Sequence, residues 1–234
     1  KNQKVEPSER LSAEQNLYDL KDKSGEYELS RKTGFESKQS VFVTKYMVYD
    51  SKNKKNTLEK SVALSEVGAL GKLSVLRPKV SQYTVWFEGK KFFSQMRVLP
   101  QERKVEIKLE SPETQYQGTY KIDIPKMEGL FCFYSQLIEC IAATGFIEKA
   151  TSDQRGEVNL HILWDNYPYF SEQYTDVAKE AITPASFAFD GKTDEGEMRF
   201  SFSFGEQSIY YLLDKKNKLK KVFWISQSYS LIRR

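Results

Sequence analysis

The chain has 234 residues, enough for a substantial core, and its 36 basic and 32 acidic residues leave a net charge of only +4. That balance excludes the strong basic stripe of a nucleic-acid binder. No stretch reaches the ~20 consecutive apolar residues of a membrane-spanning helix, and an aromatic content of 14% favours strands and a packed interior over disorder.

Residues 1–11 are polar and aperiodic. Ser12 and Gln15 have capping-box spacing, Leu17, Tyr18 and Leu20 give a short apolar face, and Gly25 ends it, so a short helix is expected here. Strands dominate the next hundred residues. They are expected at Glu26–Ser30, Ser40–Tyr49, Leu58–Leu64 and Leu73–Leu76, the last ending at Arg77-Pro78. Tyr83–Phe87 and Phe92–Val98 flank Gly89 as a hairpin. Lys104–Glu110 alternates, with Val105, Ile107 and Leu109 on one side and charges on the other, and Gln115–Ile124 follows.

The middle of the chain differs. Phe131–Ala143 has helical spacing at Leu137, Ile138 and Ile141, with Gly145 as a cap. Val158–Trp164 returns to alternation. Ser171 then opens a second helix carrying Tyr174, Val177, Ala178, Ala181 and Ile182 on one stripe, closed by Pro184. Phe187 and Phe189 precede a turn at Gly191, and Met198, Phe200, Phe202 and Phe204 alternate with polar residues. Ile209–Leu213 and Val222–Ser226 are joined by the lysine-rich turn Asp214–Lys221.

Short polar turns between consecutive strands imply an antiparallel meander. The expected fold is therefore mainly β (α+β), one domain over residues 1–234 with a large curved antiparallel sheet or half-barrel and two or three short helices.

Catalytic signatures are missing from the text. There is no Gly-x-Ser-x-Gly elbow and no phosphate-binding glycine loop. The sole histidine, His161, lies inside a strand, opposite Val158, Leu160, Ile162 and Trp164. Asp165, beside Trp164 and Tyr167–Phe170, is the most tempting acid for sugar chemistry, but Asp-Asn before Tyr-Pro is also ordinary turn chemistry. The lysine clusters Lys52/Lys54/Lys55 and Lys215/Lys216/Lys218/Lys220/Lys221 read as solvated turns, or as weak contacts with anionic lipid or an acidic partner. The expectation is no enzyme, no cofactor and no metal.

Cys132 and Cys140 lie eight residues apart. Within one helix they would be about 12 Å apart, too far to bridge. If Cys132 precedes the helix, a disulfide is feasible, and two lone cysteines in an exported chain are more often paired than free. A start at Lys1 rather than Met fits a removed leader, a lipid anchor or a trimmed chain, and a periplasmic or secreted location is expected mainly because long aromatic antiparallel strands are common in secreted bacterial proteins.

The aromatic stripe carries the functional expectation. Phe187, Phe189, Phe200, Phe202 and Phe204 share a face, and Trp86, Trp164 and Trp224 also fall on strands. A plain core accounts for them, and so does a concave sheet open to a greasy ligand, for which Trp86, Trp164 and the five phenylalanines are the candidate binding residues.

The order of elements, a leading helix from Ser12, a long meander, inserted helices and the hairpin text Tyr210–Trp224, resembles the lipoprotein-carrier family of the bacterial periplasm, the LolA/LolB-like half-barrels. The resemblance implies a curved sheet around a hydrophobic cavity that receives acyl chains, with helices as a lid. It implies a lipid or a lipidated protein as partner. The alternative is a protein–protein interaction or scaffold module of the cell envelope, with no small-molecule ligand.

Overall fold

The computed structural model describes residues 11, 13–36, 40–53, 56–126, 129–175, 177 and 179–234. Strands β1 Glu14–Asp22, β2 Gly25–Glu36, β3 Val41–Asp50, β4 Thr57–Leu70, β5 Leu73–Phe87, β6 Lys90–Leu99, β7 Lys104–Glu110 and β8 Gly118–Asp123 form a meander. After β9 Leu130–Phe133 come two short helices, α1 Leu137–Ala143 and α2 Phe146–Asp153. Then follow β10 Glu157–Leu163, the one-turn α3 Phe170–Gln173, β11 Ile182–Lys192, β12 Met198–Phe204, β13 Gln207–Leu213, β14 Leu219–Trp224 and β15 Tyr229–Arg233. Among the described residues all 15 strands belong to one sheet, ordered β8-β7-β6-β5-β4-β3-β2-β1-β15-β14-β13-β12-β11-β10-β9. Pairing is antiparallel except between β9 and β10, which run parallel. β1 and β15 pair at the centre, which ties the two halves of the chain together.

The sheet is curved and unclosed, and its ends overlap. On β9 and β10, Leu130, Cys132, Leu160 and Ile162 face the main core. Phe133 and Leu163 face the other way, onto Met96 of β6 and Val105, Ile107 and Leu109 of β7. The concave face of β6–β7 thus laps over the back of β9–β10, and the sheet rolls like a scroll. Strands buried on both faces read as continuous apolar runs, which is how Leu130–Phe133 reads, while in Leu160–Leu163 only His161 interrupts the run.

Two expected helices are strands or are cut short. Glu14–Asp22 is β1, because Tyr18 and Leu20 point inward while Leu17, Asp19 and Lys21 point out, a period of two rather than 3.6. The capping serine, Ser12, lies outside the described residues. After Ser171 the helix lasts only to Gln173, and Tyr174 is extended. Ile182 already begins β11, and Pro184 sits inside that strand. Pro184 is tolerated because it faces His161 of β10 while pairing with β12 begins only at Ser186. Pro78 is accommodated in β5 likewise, at a bulge opposite Ser65 and before β6 pairing begins at Val80. The segment Phe131–Ala143 divides into β9, a tight turn and α1 rather than one helix.

That division brings the cysteines together. Cys132 on β9 and Cys140 on α1 have Cα atoms 6.0 Å apart and are joined by a disulfide. α1 is fixed at two further points. Gln136, fully buried, accepts from Ser65 Oγ and donates to the carbonyls of Phe42 and Ala63 at 3.3 and 3.0 Å. Arg31 of β2 donates through both Nη atoms to Glu139 at 2.9 and 2.8 Å, and to the carbonyl of Ser135 at 3.0 Å.

Candidate functional site

Concave faces of β1–β6 and β13–β15 enclose a cavity of about 840 Å³. Register shows how its wall is built. Cross-strand partners place Tyr18, Leu29, Val48, Glu59, Val85 and Phe92 in one row across six strands. Glu59 is the only charged member of that row. A bulge at Leu58, opposite the Val48–Tyr49 step, lets Leu58 and Glu59 both line the cavity although they are neighbours in sequence. In the next row Tyr46 and Tyr83 flank Ser61, diagonal to Glu59.

The roof is the segment running from Trp164 to Thr175. Trp164 stacks on Phe170 with centroids 4.8 Å apart and donates from Nε1 to Thr183 Oγ1 at 2.9 Å. Buried Asp165 accepts from the backbone N–H and the hydroxyl of Ser135. A cis Tyr167–Pro168 bond follows, and the Tyr169 hydroxyl donates to the carbonyl of Phe93 on one wall. On the opposite wall Tyr174 packs against Trp224 and Tyr229, and Thr175 exchanges backbone hydrogen bonds with the Gln227 side chain. Between these anchors, Gln173 Nε2 donates to Glu59 Oε1 at 2.8 Å. The segment therefore spans the scroll and reaches down to the wall carboxylate. Turns carrying Asp22, Lys23, Glu88, Lys90 and Glu113 frame the open end.

Burial dominates the electrostatics. Desolvation raises the pKa of Glu59 above the ordinary carboxylate value, partly offset by the hydrogen bond from Gln173. Asp165 is raised for the same reason, against the pull of Ser135. Tyr46, Tyr83, Tyr174, Tyr211 and Tyr229 are pushed well above ten by burial, and Tyr134 to about 12, so these hydroxyls stay protonated.

Of the residues expected to bind ligand, Trp164 and Trp86 line the cavity. Phe187, Phe189, Phe200, Phe202 and Phe204 are not on its wall. They stack on one another over β11–β12, Phe187 on Phe200 at 5.1 Å and Phe202 on Phe204 at 5.2 Å. Phe146 of α2 and Trp164 cover them. Those five rings are core, because the roof segment and the helices fill that half of the scroll.

His161 lies half-buried on β10 with its pKa lowered by burial. Among the described residues no group of three His, Cys, Asp or Glu side chains is arranged to hold a metal. Lys218, Lys220 and Lys221 pair with Glu14, Glu195 and Glu197 on neighbouring elements, whereas Lys54 and Lys55 lie outside the described residues.

No family model matches the chain, and no curated protein matches it. One similar solved structure is a beta-barrel-like protein of domain of unknown function DUF1849 from Brucella abortus. It shares 11% identity, covers 96% of each chain and superposes with a TM-score of 0.47.

The chemistry open to the cavity follows from its own wall. Leucine, valine and aromatic faces offer apolar area, while Glu59, Gln173 and the tyrosine hydroxyls offer a few polar contacts at fixed positions. That mixture suits an amphiphile better than a sugar or a nucleotide. No sequence signal marked Glu59, Tyr46 or Tyr174. The polar side of β4 reads as its wet side, yet Glu59, Ser61, Ala63 and Ser65 face inward.

Proposed function

We propose that this chain is a non-enzymatic, exported envelope protein that binds a lipid, an acyl chain or a lipidated partner inside its curved sheet, as the lipoprotein-carrier resemblance implies. The observation that carries the reading is the cavity of about 840 Å³ with aliphatic and aromatic walls. It falls within the roughly 300–1,000 Å³ of small-molecule sites. The Cys132–Cys140 bond supports an oxidising compartment such as the periplasm or the exterior. Among the described residues no helix is long and apolar enough to cross a membrane.

Native mass spectrometry of the protein from its host's envelope fraction tests this. A non-covalent adduct of lipid or acyl mass is expected, and Leu58→Trp, which fills the cavity from its wall, should abolish it. A bare chain from a detergent-free preparation would overturn the carrier reading.

One observation favours the alternative, an envelope interaction or scaffold module. β8 is an edge of the sheet, and five of its six residues are exposed. An edge strand of this kind can accept a strand from a partner. On that reading Thr119→Pro would abolish partner capture, and Leu58→Trp would leave it intact.

A further inference from the structure

We propose that the cavity recognises the ammonium head of an amphiphile, with Glu59 as counter-ion and the rings of Tyr46, Tyr174 and Tyr229 as its cage. This deepens the binding reading above and rests on it. The first ground is placement. Glu59 stands alone in a row of Leu29, Val48, Val85 and Phe92, where any apolar residue would pack at lower cost. A carboxylate kept at such a position needs a partner, and the side chains that donate to it among the described residues, Gln173 and the Tyr83 hydroxyl, are neutral.

The second ground is the surrounding rings. Tyr46 and Tyr83 sit on the same face in the adjacent row. Tyr174 and Tyr229 meet edge to face, 6.2 Å apart, and both line the cavity. Protonated tyrosines present π-faces and neutral hydroxyls, which attract a cation without neutralising the carboxylate.

Charge balance is the third ground. Arg31 is taken by Glu139, and Lys90 lies beside Glu113. The charged groups then left on the lining are Asp22, Glu59, Glu88 and Glu172 against Lys23. A carboxylate or phosphate head brought to Glu59 would meet like charge in a low dielectric, whereas an ammonium would gain a charge-assisted hydrogen bond. The cavity therefore selects against free fatty acids. The ammonium can come from a soluble long-chain amine or from an aminolipid head.

Calorimetric titration of the full chain at neutral pH with dodecylammonium, dodecanol and dodecanoate tests the proposal. Dodecylammonium should bind at least about tenfold more tightly than dodecanol, and dodecanoate most weakly. Glu59→Gln should bring the three within about twofold without weakening dodecanol. Tyr229→Leu, as a second variant, should cost dodecyltrimethylammonium more affinity than dodecanol. Lysophosphatidylethanolamine binding that depends equally on Glu59 would point to a membrane aminolipid, and its failure beside tight dodecylammonium would point to a soluble amine. Dodecanoate binding as tightly as dodecylammonium, or indifference of the amine to Glu59→Gln, overturns the ammonium site and leaves the cavity reading standing. No binding of any of the three overturns both.

Discussion

Removing one partner of the Arg31–Glu139 pair should destabilise the fold by about 3 kcal/mol, which is the low end for breaking a buried ion pair. The pair is bidentate at 2.9 and 2.8 Å, and its side chains are only 11% and 14% exposed. Glu139→Gln keeps the shape but leaves the guanidinium in place without a counter-charge. Arg31→Met leaves the carboxylate in the same position and also loses the bond to the Ser135 carbonyl. Replacing both, Arg31→Met with Glu139→Leu, removes both buried charges together and should return stability to within about 1 kcal/mol of the parent. Urea unfolding followed by fluorescence of the buried Trp164 and Trp224 reads the effect. With a slope near 3 kcal/mol per molar for a chain of this size, the single variants should lose about 1 M in midpoint. Single variants that cost under about 0.5 kcal/mol would refute the reasoning. The pair would then behave as a solvated surface bridge, and α1 would be held by Gln136 and the disulfide alone.

Three other outcomes follow from the packing. Replacing Cys132 and Cys140 by serine releases a link across eight residues and should cost about 2.5 kcal/mol in denaturant stability, and an unchanged midpoint would contradict the chain-entropy account. Phe187→Ala should lose about 3–5 kcal/mol, because its ring is fully buried in the core, while Trp86→Ala, half-buried at the cavity, should change ligand affinity more than stability. The converse pattern would restore the phenylalanine stripe as the binding surface. Burial raises Glu59 above its ordinary pKa, so its contribution to stability is present at low pH and is lost as pH rises through the raised value. Tyr46, Tyr83, Tyr174 and Tyr229 face it and remain protonated throughout. Glu59→Gln should accordingly melt higher than the parent at about pH 8 and alike at about pH 4, and equal melting at both would show the carboxylate to be well solvated.

Much of the fold was legible because alternation reports burial directly. Lys104–Glu110 is β7 residue for residue, and Phe200, Phe202 and Phe204 share the buried face of β12 as their spacing implies. Legibility failed where a distant partner decides the conformation. Residues 14–22 read as a helix on the cluster Leu17, Tyr18 and Leu20, but pairing with β15, more than two hundred residues away, selects the strand. Tyr174 continues a helical stripe in sequence, yet Trp224 and Tyr229 draw it into an extended backbone.

The site itself was hidden by an inverted pattern. On β4 the larger apolar residues Val62 and Leu64 point away from the core, and Ser61, Ala63 and Ser65 point inward. In an ordinary two-layer sheet that arrangement would be wrong. In a rolled sheet it is required, because the inner layer must approach the outer wall closely, and only small side chains leave it room. Gln136 reaches Ser65 and the Ala63 carbonyl across that gap, and Phe133 packs in the same cluster as Ala63. One residue pair nearer the open end, the inner layer stops. Glu59 continues the inward face of β4 past that point, so it meets Gln173 and the cavity instead of a packed layer. The same small-residue face that makes the scroll possible thus sets where packing ends, and the carboxylate stands at that boundary.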